Sequence, residues 1–383
     1  MQDRTAHATT RIIGEYDSNT PGPRIVILAG VHGNEHAGVE AAKRIFTALG
    51  TMESGVQGRI IAIRGNLPAL GREARFIDCD LNRMWSGATL DALALQDPAD
   101  DNTEQSEQRE LLCRIEKEIQ TDRKSVVFLD LHSTSAPGIP FVIIGDTLRN
   151  RRIAFPLRLP VILGFEEAIE GTLDEYFGAR GLVHIVVEGG QHGDPTTVDN
   201  LEAIIWLTLT TSGLISHEQV PGIDGHRSRI RDAGGGVSAV VELVHRHGTE
   251  DGDGFHMDDD HINFETVRSG QRLASDRSGA IVTPKDGMLL LPNYQNIGND
   301  GFFVGRRVRK FWLRFSAMVR HLGADRYLPL LPGVRREPGS DVVYANRKVA
   351  RWLTVKIFHL FGFRKCRRDG DILVFTRRPE RPV

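Results

Sequence analysis

The sequence predicts an α/β protein: a mixed, mostly parallel sheet flanked by helices, then a smaller C-terminal β domain and a basic tail subdomain. Between Arg24 and about Gly213, short continuous apolar runs alternate with stretches of helical periodicity, as expected where crossover helices cover both faces of parallel strands. From Val237 to about Gly305, turn signals such as Pro284-Lys-Asp-Gly separate short β-type segments, which favours a small separate β domain. Beyond that point Lys and Arg dominate.

The α/β domain is predicted to span residues 1–215. A continuous apolar run of strand length indicates a strand buried on both faces. Apolar residues spaced three and four apart indicate helices, and proline is typical of a first helical turn. The predicted strands are Ile25–Val31, Arg59–Arg64, Ser125–Leu131 and Leu182–Val187. The predicted helices are one through Val39, Ala42 and Phe46, one over Thr103–Gln120 and one beginning at Pro195.

The remaining residues divide into three predicted segments. Residues 216–236 are predicted to be a linker, because periodicity fades and Gly, Pro and charged residues accumulate there. Residues 237–305 form the β domain, and residues 306–383 form the tail. Within the tail, Phe311–Leu322 and Val349–Phe361 favour helices, and Lys365–Arg378 favours a hairpin.

Charge is distributed unevenly along the chain. Residues 306–383 contain 20 Lys and Arg against 6 Asp and Glu, whereas the rest contains 28 against 44. The favoured interpretation is an added subdomain that packs its apolar face on the body and leaves its cationic groups in solvent. The alternative is a membrane-surface or acidic-partner contact, because both tail helices mix aromatic and basic residues. Nucleic acid is not an expected partner, and a homo-oligomer is compatible with the sequence.

Composition indicates a cytoplasmic protein. The three cysteines, Cys79, Cys113 and Cys366, have no C-x-x-C spacing, which argues against a disulfide framework. No apolar stretch approaches the ~20 residues needed to span a bilayer. The first residues lack the apolar core of a secretory signal.

Two strand ends supply candidate metal ligands. The segment Gly30-Val-His32-Gly-Asn-Glu35 directly follows the first strand, and His132 ends the strand Ser125–Leu131. Sites assemble at the C-terminal ends of parallel strands, and two histidines with one glutamate form a catalytic zinc ligand set. Asp130, two residues before His132, would orient that imidazole. Against this, a H-x-x-E pattern also arises by chance in surface loops.

Two further features carry chemistry. Glu188 follows the apolar strand Leu182–Val187 and would act as a general base beside a metal-bound water; a salt-bridged strand-end carboxylate is the alternative. The run from Arg75 to Arg83, RFIDCDLNR, offers guanidinium groups suited to a carboxylate substrate and a developing oxyanion. An ordinary charged loop is the alternative there.

The motifs HGNE, RFIDCDLNR, DLHS and VVEGG occur in this order and at this spacing. Together they resemble the succinylglutamate desuccinylase/aspartoacylase family, which belongs with the zinc carboxypeptidase fold. The resemblance covers about Arg24 to Phe303. It implies a zinc hydrolase domain in residues 1–215, a β domain that caps the active site, and one Zn²⁺ per chain.

The resemblance also implies residue roles. The implied zinc ligands are His32, Glu35 and His132, and the implied catalytic residues are Glu188, as base and acid, and Arg75, as oxyanion donor. The implied substrate-binding residues are Asn82, Arg83 and Tyr294. The sequence departs from the family at Trp85-Ser-Gly, where an aromatic residue and Pro-Gly are usual. The pair Tyr176 and Arg180 has the spacing of a substrate-binding pair but lies too near Glu188 to be assigned.

The expected function is zinc-dependent hydrolysis of the amide bond in a small N-acyl amino acid. The alternatives are a zinc carboxypeptidase-type peptidase with the same metal site and a metal-binding protein of this fold without catalysis. Ester cleavage is compatible with the same residues. The sequence does not define the acyl group or the amino acid.

Overall fold

The computed structural model describes residues 10–52, 55–121, 125–237, 239–250, 252–337, 340–346, 348–349 and 355–380. The strands are β1 (Ile12–Asp17), β2 (Arg24–Ala29), β3 (Arg59–Arg64), β4 (Val126–Thr134), β5 (Phe141–Ile143), β6 (Val161–Leu163), β7 (Val183–Gln191), β8 (Val240–Gly248), β9 (His256–Met257), β10 (Thr266–Val267), β11 (Arg272–Asp276), β12 (Gly279–Val282), β13 (Gly287–Leu290), β14 (Asp300–Val308), β15 (Val334–Arg336), β16 (Val342–Asn346), β17 (Phe363–Asp369) and β18 (Ile372–Arg377).

The α-helices are α1 (Ala37–Gly50), α2 (Leu67–Arg72), α3 (Gly87–Leu95), α4 (Thr103–Thr121), α5 (Leu148–Ala154), α6 (Phe165–Ala168), α7 (Leu173–Ala179), α8 (Pro195–Thr211), α9 (Ile223–Ala233), α10 (Lys310–His321) and α11 (Val355–Leu360). Short 3-10 helices occupy Leu81–Arg83, Pro98–Asp100, Phe155–Leu157, His217–Gln219 and Ala324–Leu330. No helix among the described residues is long and apolar enough to cross a membrane.

A large mixed sheet forms the centre of the protein, which confirms the predicted fold class. Among the described residues it contains eleven strands, in the order β1-β3-β2-β4-β7-β5-β6-β8-β14-β13-β10. The strands β3, β2, β4 and β7 run parallel to one another. Their C-terminal ends therefore meet at one edge of the sheet, where sites of α/β proteins form.

Both faces of this sheet are covered. Within β2, Ile25 and Ile27 pack into one apolar cluster, whereas Val26 and Leu28 pack into a second on the opposite face. Helices α1 and α8 contribute to the first cluster, and α4 and α7 contribute to the second. Burial on both faces explains why the sequence of β2 is apolar without alternation.

The segment predicted as a linker and the predicted β domain differ from expectation. Residues 216–236 contain α9, which buries Ile223 and Ile230 and packs against α8. These two apolar residues lie seven apart on one helical face, and charged neighbours hide that periodicity in the sequence. Strands β8, β14, β13 and β10 extend the central sheet through the pairing of β8 with β6. Only β9, β11 and β12 form a separate small sheet in the described part of that region.

The tail folds as a subdomain. Strands β15, β16, β18 and β17 form an antiparallel sheet around a small core that contains Phe358, Phe363 and Phe375. Helix α10 matches the first predicted tail helix, and β17 with β18 matches the predicted hairpin. Helix α11 covers the second half of the other predicted helix, Val349–Phe361, and residues 350–354 of that prediction lie outside the described residues.

The tail packs against the body, but three of its arginines are buried rather than solvated. Arg320 and Arg364 pair with Asp146, and Arg378 pairs with Asp174. The expectation that these cationic groups face solvent is wrong, because acidic side chains of the body receive them. The outer face of α10 remains accessible: Phe311, Met318 and Leu322 are all exposed.

Candidate metal centre

The loop after β2 is shaped by two glycines. Gly30 adopts a φ of 69°, which turns the chain sharply away from the strand. Gly33 lies so close to α2 that a Cβ there would overlap the backbone of Ala69. The amide of Gly33 also donates to the carbonyl of Arg75, at 3.1 Å. These contacts fix the loop that carries His32 and Glu35 beside the segment that carries Arg75.

Strands β4 and β7 bring the other predicted groups to the same edge. The strand order β2-β4-β7 places β4 in the middle. His132 of β4 and Glu188 of β7 are direct partners in the parallel ladder. Because His32 and Glu35 follow the C-terminal end of β2, four side chains converge from three neighbouring strands.

Three of these side chains form a compact donor cluster. His32, Glu35 and His132 are buried, and one ligand atom from each lies within 4.8 Å of the others. The two Glu35 oxygens face the two histidines: His32 Nδ1 is 2.8 Å from Oε1, and His132 Nδ1 is 2.9 Å from Oε2. Two imidazole nitrogens and a carboxylate in this arrangement match the donor set of a catalytic zinc site.

The other nitrogen of each histidine faces a second carboxylate. His32 Nε2 lies 3.2 Å from Asp80, and His132 Nε2 lies 3.2 Å from Asp130. Burial alone would raise the pKa of Asp130, but the adjacent His132 holds that pKa well below its ordinary value. The Asp80 contact is a hydrogen bond that orients the His32 ring, whereas Asp130 meets His132 as a charge contact without hydrogen-bond geometry. In both rings Nδ1 is directed at the shared centre.

Glu188 is buried beside this cluster. Its Oε2 atom has no hydrogen-bond partner among the residues that the structure describes. Burial raises the pKa of Glu188 to about 7. A buried carboxylate oxygen without a partner requires a compensating group, and a cation at the adjacent donor cluster fits that requirement.

The segment from Arg75 to Arg83 forms one wall of the site. Arg75 donates to Asp80 at 3.0 Å, and its other terminal nitrogen lies 3.9 Å from Glu35. The side-chain oxygen of Asn82 accepts from the amide of Leu173, at 2.9 Å. The three predicted residues Arg75, Asn82 and Arg83 therefore lie at the cavity together with the metal cluster.

Arg83 is held by a residue that the sequence did not indicate. Its Nη2 atom lies 2.8 Å from Asp300, at the start of β14. Arg246 of β8 binds the same carboxylate at 2.5 Å. Two guanidinium groups thus share the carboxylate of Asp300, and both Arg83 and Asp300 line the cavity.

Tyr294 and the pair Tyr176 and Arg180 point elsewhere. The Tyr294 hydroxyl contacts the backbone of His261 and Asp258, although its chain neighbours Asn293 and Gln295 line the cavity. The hydroxyl of Tyr176 binds Glu116, and the Arg180 guanidinium lies 3.8 Å from the centre of the Tyr176 ring.

Several site residues carry no clear signal in the sequence. Asp80, His192 and Asp300 read as ordinary polar loop residues, yet His192 and Asp300 line the cavity and Asp80 contacts His32. His192 accepts or donates a hydrogen bond with Ser133 Oγ at 2.7 Å. Glu104 is fully buried, and its carboxylate receives the amides of Ile77, Asp78 and Cys79. The only sequence signal for His192 is its position directly after β7, four residues beyond Glu188.

The cavity above the cluster is small and has two kinds of wall. Its volume is about 170 Å³. The charged wall contains the metal cluster, Arg75, Arg83 and Glu188. The apolar part of the lining includes Ile143, Phe165, Ile169, Val186 and Phe303. The arrangement suits a small molecule with one anionic end and one apolar part.

A family model and curated relatives that match this chain carry related names. The family model described as "Succinylglutamate desuccinylase/Aspartoacylase catalytic domain" matches residues 21–152. The succinylglutamate desuccinylase of Pseudoalteromonas atlantica is 44% identical over 64 residues, which cover 17% of this chain and 18% of that protein. The enzyme of the same name from Shewanella denitrificans is 35% identical over 74 residues, covering 19% and 21%. The alignments thus span about a fifth of the length of these curated relatives.

Solved structures share the fold over a longer stretch. The succinylglutamate desuccinylase from Vibrio parahaemolyticus has a TM-score of 0.57 at 17% identity and covers 77% of this chain and 86% of its own. The ectoine utilization protein EutE (DoeB) from Ruegeria pomeroyi, solved with product bound, has a TM-score of 0.55 at 17% identity, covering 76% and 87%. The family model over residues 21–152, the curated relatives and the solved structures thus agree that this chain is similar to the succinylglutamate desuccinylase/aspartoacylase family.

Proposed function

We propose that this chain is a zinc-dependent amidohydrolase that removes the acyl group from a small N-acyl amino acid. The observation that carries the proposal is the donor cluster of His32, Glu35 and His132, with Glu188 beside His132 in the ladder. Two histidines and one carboxylate leave a fourth zinc position for water or substrate. The printed names of the curated relatives, succinylglutamate desuccinylases, support hydrolysis of an acyl–amide bond.

The protein side chains would divide the chemistry among them. Zinc at the cluster would supply a water of lowered pKa and an electrophile for the scissile carbonyl. Glu188 would accept the proton of the attacking water and return it to the leaving amine. Arg75 would donate hydrogen bonds to the oxyanion as it develops. Asp80 and Asp130 would hold the two imidazole rings in place.

The rim of the cavity supports a substrate with a carboxylate. Arg83 lines the cavity and shares the carboxylate of Asp300 with Arg246. Guanidinium groups bind carboxylates through paired hydrogen bonds, and Asn82 lies next to Arg83 on the same wall. Tyr294 would join them only if its hydroxyl exchanged the backbone of His261 and Asp258 for substrate.

The direct test combines metal content with a substrate panel. Purified protein is expected to contain about one zinc per chain and to release acid from one member of a panel of N-acetyl, N-succinyl and longer N-acyl amino acids. Glu188→Gln should lower kcat by about 10³-fold or more while zinc stays bound, because it removes the general base. Glu40→Gln, which changes an exposed carboxylate on α1, should leave kcat unchanged.

Other outcomes would redirect the proposal. Faster cleavage of blocked dipeptides than of N-acyl amino acids would indicate a carboxypeptidase-type peptidase. Bound zinc without hydrolysis of any panel member would indicate a metal-binding protein of this fold. Absence of bound metal after zinc reconstitution, or equal activity in His32→Ala, would refute the metal-assisted mechanism itself.

A further inference from the structure

Arg378, near the end of the chain, is inserted into the body of the protein. It follows β18 directly, and its guanidinium binds Asp174 of α7 through both terminal nitrogens, at 2.7 and 3.1 Å. Its side chain is only 13% exposed, and the Asp174 side chain is 9% exposed. A paired, bidentate contact of this kind fixes the orientation of both partners.

Two glycines provide the space for this side chain. A Cβ on Gly145, just after β5, would collide with the Arg378 guanidinium, and so would a Cβ on Gly178 in α7. Glycine within a helix is unfavourable relative to alanine, so Gly178, in the last turn of α7, needs a local reason. Close passage of Arg378 supplies one, since the guanidinium lies against the backbone at both glycines.

Asp174 connects Arg378 to the candidate metal centre. His184 of β7 is fully buried, with Nδ1 3.2 Å from Asp174 and Nε2 3.6 Å from Asp130. Asp130 in turn faces Nε2 of His132 at 3.2 Å. Cationic or imidazole groups therefore alternate with carboxylates along a buried row of charge contacts, in which Asp130 meets His184 and His132 without hydrogen-bond geometry: Arg378, Asp174, His184, Asp130, His132.

The charges of this row make Arg378 important for its far end. Asp174 and Asp130 flank the single imidazole of His184, one on each side. Arg378 compensates the outer carboxylate. Without Arg378, Asp174 would lose the bidentate contact that fixes its orientation, and His184 would lose a fixed partner on its outer side. Asp130 would then lose a partner that fixes its orientation toward His132.

We propose that Arg378 is a positioning residue for the metal site, acting on His132 through Asp174, His184 and Asp130. This inference rests on the proposed function, because it requires that His132 binds a metal. It gives the tail a role in the site: one arginine of the subdomain completes the support of a ligand 246 positions earlier in the chain.

The test measures zinc affinity on the full chain. Apoprotein prepared with a chelator is titrated with zinc against a chromophoric competitor. Carboxylates that orient a metal-bound histidine typically contribute 10- to 100-fold in affinity, and Arg378 acts at one remove from such a carboxylate. Arg378→Gln is therefore expected to weaken zinc binding about tenfold, and Arg378→Lys, which keeps the charge, should recover most of that loss.

A matched control lies next to Arg378 in the sequence. Arg377 is similarly buried, at 17% exposure, but it pairs with Asp325 and Asp341 inside the tail. Arg377→Gln is expected to lower thermal stability without changing zinc affinity. A structural role for Arg378 would give the same result in both variants: lower stability and wild-type zinc affinity.

A second variant keeps the test decisive if Arg378→Gln does not fold. The double variant Asp174→Asn with Arg378→Gln removes both charges of the pair and leaves no uncompensated buried ion. Weaker zinc binding is again expected, because His184 loses its outer carboxylate. Wild-type affinity in the double variant, or an equal loss in Arg377→Gln, would overturn the inference. Failure of the wild-type chain to bind zinc would instead refute the proposed function.

Discussion

Asp146 and Asp174 are both buried carboxylates that bind arginines of the tail, yet different groups lie behind them. The partners of Asp146 are the guanidinium groups of Arg151, Arg320 and Arg364. The partners of Asp174 are one guanidinium, from Arg378, and the imidazole of His184. Asp146 is therefore surrounded by permanent cations, whereas Asp174 lies between a cation and a group that contacts the support of the metal centre.

This difference shows that one kind of ion pair has two uses in the same interface. Burial alone would raise the pKa of both carboxyl groups, but the neighbouring arginines hold the pKa of each well below its ordinary value. At Asp146 the ion pairs hold the tail subdomain against the body. At Asp174 the contact extends through His184 to Asp130, so loss of the pair should also be felt at His132. We therefore call Asp146 the structural anchor and Asp174 the site anchor.

The largest expected effect is a loss of unfolding free energy at the structural anchor that leaves the metal site unaffected. Asp146→Asn should lower the free energy of unfolding by about 3–5 kcal/mol, because it leaves buried arginines without their shared carboxylate. Urea denaturation at pH 7 measures that loss. Added zinc should raise the unfolding free energy of the variant by the same increment as in the wild type, since bound ligand stabilises according to its affinity. A reduced zinc increment would mean that the structural anchor also supports the metal site.

The second effect tests the row behind the site anchor. Asp130→Asn should weaken zinc binding by about 10- to 100-fold, because Asp130 faces His132 directly. The loss should exceed that of Arg378→Gln, since an orienting effect weakens with each intervening group. Competitive zinc titration of both variants gives the two values. An Arg378→Gln loss equal to or larger than the Asp130→Asn loss would contradict transmission along the row.

The sequence was sufficient for the parts of the site that depend on local pattern. His32 and Glu35 lie three apart in one loop, and His132 and Glu188 each end an apolar strand. Because parallel strands share their C-terminal edge, strand prediction alone brings these groups together. The same apolar runs predicted the fold class, and the structure confirms it.

The rest of the site depends on contacts between distant segments. Arg378 and Asp174 are 204 positions apart, and each reads in the sequence as a solvated surface charge. Asp300 likewise reaches Arg83 only because β14 joins the central sheet through β8. Nothing in the composition of β8 indicates that it pairs with β6, because the pattern of a strand shows which face it buries and not which strand lies beside it.

The smallest effect sharpens the comparison through pH. Glu242 of β8 also binds Arg364, a partner of the structural anchor Asp146, at 2.5 Å, and it binds His359 at 2.9 Å. Burial opposes ionisation of Glu242, but His359 and Arg364 hold its pKa at about 2, below the ordinary 4.5. A carboxyl group with a lowered folded-state pKa adds stability above its unfolded pKa, and that stability is lost as pH falls through the folded value. Glu242→Gln should therefore cost about 1 kcal/mol at pH 7, because Arg364 keeps Asp146 as a partner.

The difference between wild type and Glu242→Gln should shrink as pH falls from about 5 toward 2, the window set by the lowered pKa. Urea denaturation at pH 7 and pH 3 measures the difference at its full and reduced values. Exposed Glu40→Gln serves as the control and should track the wild type at both pH values. Zinc affinity should be unchanged in Glu242→Gln, because Glu242 shares Arg364 with the structural anchor Asp146 and is not part of the row from Arg378 to His132. A difference in unfolding free energy that stays constant down to pH 3 would mean that Glu242 stabilises the fold by packing and not by its charge.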